Sequence, residues 1–123
     1  MNDMSTQPSS LFGPLVTAMA TPFAPDGALD YDRAAALARH LLDNGSTGLV
    51  VSGTTGESPT LTPEEKLKLF RVVKEAANGA PIIANTGDNE TAFSVELSRR
   101  ACAEAGVDAI LMVVPYYNRP SQE

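Results

Sequence analysis

The residues with the most chemical potential form the run Gly53-Thr54-Thr55-Gly56-Glu57, directly after the apolar stretch Gly48–Val51. Glycines let a backbone turn sharply and leave its N–H groups free to face a ligand. A concave array of such groups is an anion site. Thr54 and Thr55 add two adjacent hydroxyls. Several close donors without a full positive charge suit a carboxylate. No Gly-Lys-Ser/Thr follows, so the run is not a phosphate-binding P-loop. The plainer alternative is a tight strand-to-helix turn whose threonine hydroxyls cap local backbone.

A second candidate is Tyr116-Tyr117, at the end of another apolar run. A phenol hydrogen-bonded to a hydroxyl can relay a proton. The alternative is an aromatic pair that packs a loop or an interface. His40 stands alone on a helical segment and reads as packed or solvated, and Cys102 reads as a small buried apolar residue. Glu57 is expected to hold its loop by accepting backbone N–H bonds. Lys66, Lys68 and Lys74 all fall on one helix and are read as lying far along it from any strand end. The sequence contains no metal-ligand cluster, and no cofactor is expected.

These residues need a frame, and apolar periodicity supplies one. Apolar runs over residues 15–20, 48–51, 81–84 and 109–114 read as strands. Between them lie three helical patterns. Asp30 is a plausible cap for the first, whose stripe is Ala34, Leu37, Ala38, Leu41 and Leu42, with Gly45 as its stop. Thr62-Pro63-Glu64-Glu65 opens the second with the pattern of a capping box. Its expected buried face is Leu69, Val72, Val73, Ala76 and Ala77, and Asn78-Gly79 ends it. The third starts near Asn89, buries Leu97, Ala101 and Ala105, and stops at Gly106.

The element order is therefore β-α-β-α-β-α-β, in the α/β class. Continuously apolar strands imply a parallel sheet covered on both faces, and right-handed crossovers follow. Two architectures fit, a doubly wound open sheet and the N-terminal half of a (βα)8 TIM barrel. A full barrel takes about 250 residues, whereas the chain has 123. It ends just after the fourth strand, without a helix to cover that strand, so truncation of a barrel after strand 4 is the expectation. Residues 1–10 read as a polar tail and 11–123 as the partial barrel domain. In either architecture ligands bind at the C-terminal ends of the strands, which is where Thr54, Thr55 and Tyr117 fall.

Composition narrows the partners. Nine basic residues against fifteen acidic ones leave a formal charge of −6, which opposes broad binding to nucleic acid or an anionic membrane. No apolar run approaches the roughly 20 residues that span a bilayer. A single cysteine allows no internal disulfide, and the first ten residues lack the pattern of a secretory signal, so a cytoplasmic location is expected.

From Leu11 to Glu123 the chain resembles the N-terminal part of dihydrodipicolinate synthase (4-hydroxy-tetrahydrodipicolinate synthase). Two stretches carry the likeness: residues 48–65, GLVVSGTTGESPTLTPEE, and residues 114–123, VPYYNRPSQE. The resemblance implies a (βα)8 barrel and a homotetramer built from tight dimers. It also implies a pyruvate-dependent reaction of lysine and diaminopimelate biosynthesis. Pyruvate forms a Schiff base on a lysine, and its enamine attacks aspartate-semialdehyde. Thr54 would belong to the proton relay, and Thr55 would bind the pyruvate carboxylate. Tyr117 would cross the dimer interface to join the partner's relay, with Tyr116 in the same region. N-acetylneuraminate lyase and 2-keto-3-deoxy sugar-acid aldolases are related alternatives. The Thr54-Thr55 pair and Tyr117-Asn118-Arg119-Pro120 favour the synthase. A non-catalytic half-barrel, or a pseudogene product, is the further alternative.

Two departures from the family pattern matter. The Schiff-base lysine lies on the family's sixth strand and a relay tyrosine on its fifth, so this stretch alone is expected to be inactive. Lysine-inhibited members carry histidines after the threonine loop and a glutamate on the third helix. Pro63, Lys66 and Phe93 stand there here, which argues against feedback inhibition by lysine.

Overall fold

The computed structural model describes residues 10–122, so apart from Ser10 the expected polar tail lies outside the described residues. Four short strands form one sheet: β1 (Val16–Ala18), β2 (Gly48–Val51), β3 (Ile82–Asn85) and β4 (Ala109–Leu111). All pairings are parallel and the order is β1-β2-β3-β4, with Val16 opposite Gly48, Leu49 opposite Ile82 and Ile83 opposite Ala109. A doubly wound sheet reverses its strand order at a switch point. This sheet adds each new strand to the same edge, as a barrel wall does, so the half-barrel is the architecture realised.

The helices form where the local signals stand. In α1 (Tyr31–Asp43) the Asp30 side chain accepts the Arg33 N–H at 2.9 Å. In α2 (Pro63–Ala76) the capping box is complete: Thr62 Oγ1 accepts from Glu65 N at 3.3 Å, and Glu65 Oε2 accepts from Thr62 N at 2.8 Å. The third helix, α3 (Thr91–Arg100), passes into a π turn over Ala101–Ala105 and stops at Gly106 in the left-handed region.

The core lies between the sheet and these helices. Leu49, Val51, Ile82 and Ala84 from the strands meet Ala34, Ala38, Leu67, Leu69, Phe70, Val73 and Leu97 from the helices. Leu37, Leu41, Leu42 and Ala76 are only partly buried around it. Cys102 is exposed, against expectation. Ala101 and Ala105 take the inner face of the turn, and the next residue along a helix is rotated by roughly 100° away from its neighbour.

The expected coverage of both faces is not what the sheet shows: Leu49, Val51, Ile82 and Ala84 are buried against the helices, whereas Val50 and Ile83, which point to the opposite face, are half-buried. The fourth strand ends at Leu111 rather than at the expected 114, and Ile110, Leu111 and Met112 are 39%, 40% and 48% exposed. No described helix packs on its outer side. Gly87 brings the ends of β3 and β4 together, because a Cβ there would stand 2.3 Å from Val113 N. At the opposite end Asp108 Oδ2 accepts from Lys74 Nζ at 2.6 Å and from Ile82 N at 2.8 Å, tying α2 to the start of β3.

Candidate active site at the strand ends

The chain leaves β2 through a braced turn. Ser52 and Glu57 both sit in the left-handed region, at φ 57° and 58°, which costs non-glycine residues energy and needs support from the surroundings. The support is specific. Thr21 Oγ1 donates to the Gly56 carbonyl at 2.6 Å. Asn85 Nδ2 donates to the Ser52 carbonyl at 2.8 Å and to Ser58 Oγ at 3.1 Å. Gly56 N and Ser58 N bond to the Gly53 carbonyl, and Glu57 N to that of Thr54. Gly56 cannot carry a side chain without crowding Thr21 Oγ1 at 3.0 Å and Ser52 Cα at 3.1 Å. The loop is thus held by residues from the ends of β1 and β3.

That bracing separates the two readings of the threonines. Thr54 and Thr55 are exposed, and among the described residues neither hydroxyl has a hydrogen-bond partner. Local capping falls instead to Thr60, whose Oγ1 donates to the Glu57 carbonyl at 2.8 Å. Both threonine hydroxyls remain available to a ligand. Glu57 corrects an expectation, since its side chain is exposed and accepts no backbone N–H among the described residues; its main chain does the holding.

Beside Thr54 lies a cavity of about 110 Å³, lined by Ser58, Lys66, Asn85, Asp88, Val113 and Tyr116 among others. Lys66 is the residue that sequence reasoning misplaced. It is 3% exposed and faces this cavity at the strand ends, whereas Lys68 stacks over the Tyr31 ring and Lys74 pairs with Asp108. The reason is geometric. In a βα unit the helix begins where the strand ends, and Lys66 lies one turn into α2, with helical side chains leaning toward the N-terminus. The signal was present: Lys66 precedes Leu69, Phe70 and Val73 at spacings of three, four and seven, the buried ridge of α2. Burial lowers the Lys66 pKa, and the nearby Asp88 carboxylate works against that shift.

The tyrosines divide. Tyr116 lines the Thr54 cavity, while Tyr117 does not and is 84% exposed. Within one chain, then, Thr54 and Tyr117 are not brought together. Asn89 Oδ1 accepts both Tyr116 N at 2.8 Å and Tyr117 N at 2.9 Å. Pro63 and Phe93 line a separate shallow cleft between α2 and α3, and His40 is exposed. Among the described residues no cluster of His, Cys, Asp or Glu could hold a metal, and no helix is long and apolar enough to cross a membrane.

Known proteins place this arrangement. The model of the dihydrodipicolinate synthetase family matches residues 11–123. The 4-hydroxy-tetrahydrodipicolinate synthase of Moorella thermoacetica is 63% identical over 113 residues, covering 91% of this chain and 38% of its own length. That of Symbiobacterium thermophilum is 60% identical with the same coverage. Among solved structures, a dihydrodipicolinate synthase from Bacillus anthracis superposes with a TM-score of 0.86 at 51% identity, covering 90% of this chain and 38% of that one. The enzyme from Acinetobacter baumannii, solved in complex with pyruvate, gives 0.86 at 38% identity, covering 92% and 38%. The chain therefore spans less than two fifths of the length of these relatives. A match that runs from Leu11 to Glu123, on a strand wall that the solved relatives share, means that this chain belongs to the dihydrodipicolinate synthetase family.

Proposed function

We propose that this chain forms part of the active site of a 4-hydroxy-tetrahydrodipicolinate synthase, in which pyruvate, bound as a lysine Schiff base, condenses with aspartate-semialdehyde. The observation that carries the reading is the pair of unpartnered hydroxyls at Thr54 and Thr55, on a loop whose carbonyls are occupied by Thr21 and Asn85. Thr55 binds the pyruvate carboxylate. Thr54 passes a proton along a relay that Tyr117 joins from the partner of a tight dimer, two such dimers forming a tetramer in the cytoplasm. The exposure of Tyr117 is compatible with that interface role. Among the described residues Lys66 is the lysine beside the loop, and we assign the Schiff base to the lysine that the family carries on the sixth strand of the barrel.

Borohydride trapping tests this. Pyruvate and borohydride added to the complete protein should leave a stable adduct on one lysine, located by peptide mapping. No adduct would overturn the aldolase reading. An adduct on Lys66 would move the Schiff base into the cavity beside Thr54 and overturn the assignment of the lysine. Turnover of aspartate-semialdehyde against sugar-acid aldehydes then separates the synthase from the related aldolases.

The reading extends to regulation. Pro63, Lys66 and Phe93 stand where lysine-inhibited members of the family carry histidines and a glutamate. Free lysine at millimolar concentration is expected to leave the initial rate unchanged, and a saturable fall in rate would contradict this.

A further inference from the structure

Asn89, in the loop after β3, reaches the tyrosine turn in the loop after β4. The two N–H groups of Tyr116 and Tyr117 converge on Asn89 Oδ1, at 2.8 and 2.9 Å, across 27 and 28 residues of chain. A carbonyl oxygen has two lone pairs and here both are engaged. Two consecutive peptide N–H groups aimed at one atom fix the orientation of both peptide planes, and hence the Cα–Cβ directions of both tyrosines. Asn89 is itself well anchored. On one side Asp88 N donates to Ser94 Oγ at 2.8 Å, and on the other Glu90 takes up the Ser94 hydroxyl through its carbonyl at 3.0 Å. The clamp thus transmits the position of the first turn of α3 to the tyrosine turn.

Tyr117 needs such a clamp more than Tyr116 does. The Tyr116 ring has the wall of the Thr54 cavity to rest on, whereas Tyr117 is 84% exposed and takes little guidance from packing in its own chain. Within its own chain, its direction is set by its backbone. We infer that Asn89 is a positioning residue for the reaction: it touches no substrate, and it places the Tyr117 phenol by holding the amides of the turn. This rests on the reading of Tyr117 as a member of the proton relay. A misplacement of about 1 Å in a reacting group can cost on the order of 10²-fold in rate.

Kinetics on the complete protein and amide exchange at the turn test the inference separately. Asn89→Ala removes the acceptor, whereas Asn89→Asp keeps a carboxylate oxygen in its place. Asn89→Ala should lower kcat by about 10²-fold with the KM for pyruvate nearly unchanged, and Asn89→Asp should recover most of the loss. In a Tyr117→Phe background Asn89→Ala should lower kcat no further. The Tyr116 and Tyr117 amides should exchange slowly in the parent and in Asn89→Asp, and fast in Asn89→Ala. An unchanged kcat in Asn89→Ala would overturn the inference, as would an equal additional loss in the Tyr117→Phe background, which marks a merely structural role. Full activity of Tyr117→Phe alone would instead sink the relay reading, and the exchange data would still report whether the clamp exists.

Discussion

At the residue scale, the two threonines should differ in what they cost. On the proposed relay role of Thr54, Thr54→Val is expected to lower kcat by about 10²-fold. On the proposed carboxylate contact of Thr55, Thr55→Val should raise the KM for pyruvate by about tenfold, the worth of one hydrogen bond to a charged group. Steady-state kinetics of the two variants would show the split, and equal effects on both parameters would erase the distinction. Lys66 makes a prediction about stability. Its pKa lies below the ordinary 10.5 in the folded chain, because burial disfavours the charged form. Between that lowered value and 10.5 the unfolded chain holds more protons, so stability rises with pH across that window. Lys66→Met should abolish the rise and add on the order of 1 kcal/mol near neutrality, measured by urea unfolding at a series of pH values. A rise that persists in the variant would assign it to another group.

At the scale of elements, each loop is placed by the start of the helix that follows it. Thr62 caps α2, and α2 in turn carries Lys66 and, through the turn Ser58–Thr60, the end of the threonine loop. Thr62→Ala should cost about 1 kcal/mol, seen as a lower urea midpoint with an unchanged m-value. A change in m-value would mean that the substitution altered more than the cap. The Arg100 guanidinium links α2 to α3 by meeting Glu64 at 2.7 Å and Glu104 at 2.7 Å, and its hydrogen bonds hold both carboxyls below the usual range. The two carboxylates are exposed and the guanidinium is half-buried, so the contribution of these pairs should fade with salt.

For the whole molecule, the sheet is pinned at two ends that have different work to do. The strand C-termini carry the candidate site, with positive-φ backbone at Ser52 and Glu57 and, among the described residues, unpartnered hydroxyls at Thr54 and Thr55. The N-terminal end carries the Asp108 tie. Burial opposes the Asp108 carboxylate, and the Lys74 ammonium with the Ile82 amide outweighs it, so the carboxyl titrates below its ordinary 3.8. Its contribution is complete above 3.8 and is lost as pH falls through the lowered value. Asp108→Asn should cost about 1 kcal/mol at neutral pH, and the difference from the parent should vanish in strong acid. A difference that stays constant with pH would show that the amide bond to Ile82 alone matters. The exposed apolar side chains of β4 lie on the edge at which a barrel wall continues, in keeping with a chain that spans 38% of its relatives.

The sequence by itself determined the element order, the caps at Asp30 and Thr62, the glycine stops and the place of the Gly53–Glu57 loop after the second strand. Those features depend on neighbours within a few residues, where φ preferences, capping atoms and helical periodicity act directly. Only the tertiary structure decided the strand order, because pairing joins residues some thirty positions apart. It alone decided that Thr21 and Asn85 take the loop carbonyls and leave Thr54 and Thr55 free, that Lys66 turns into the cavity, that Cys102 turns outward and that Asn89 holds the tyrosine turn. Each of these depends on which loops the parallel sheet gathers at one end, and local spacing carries no record of that.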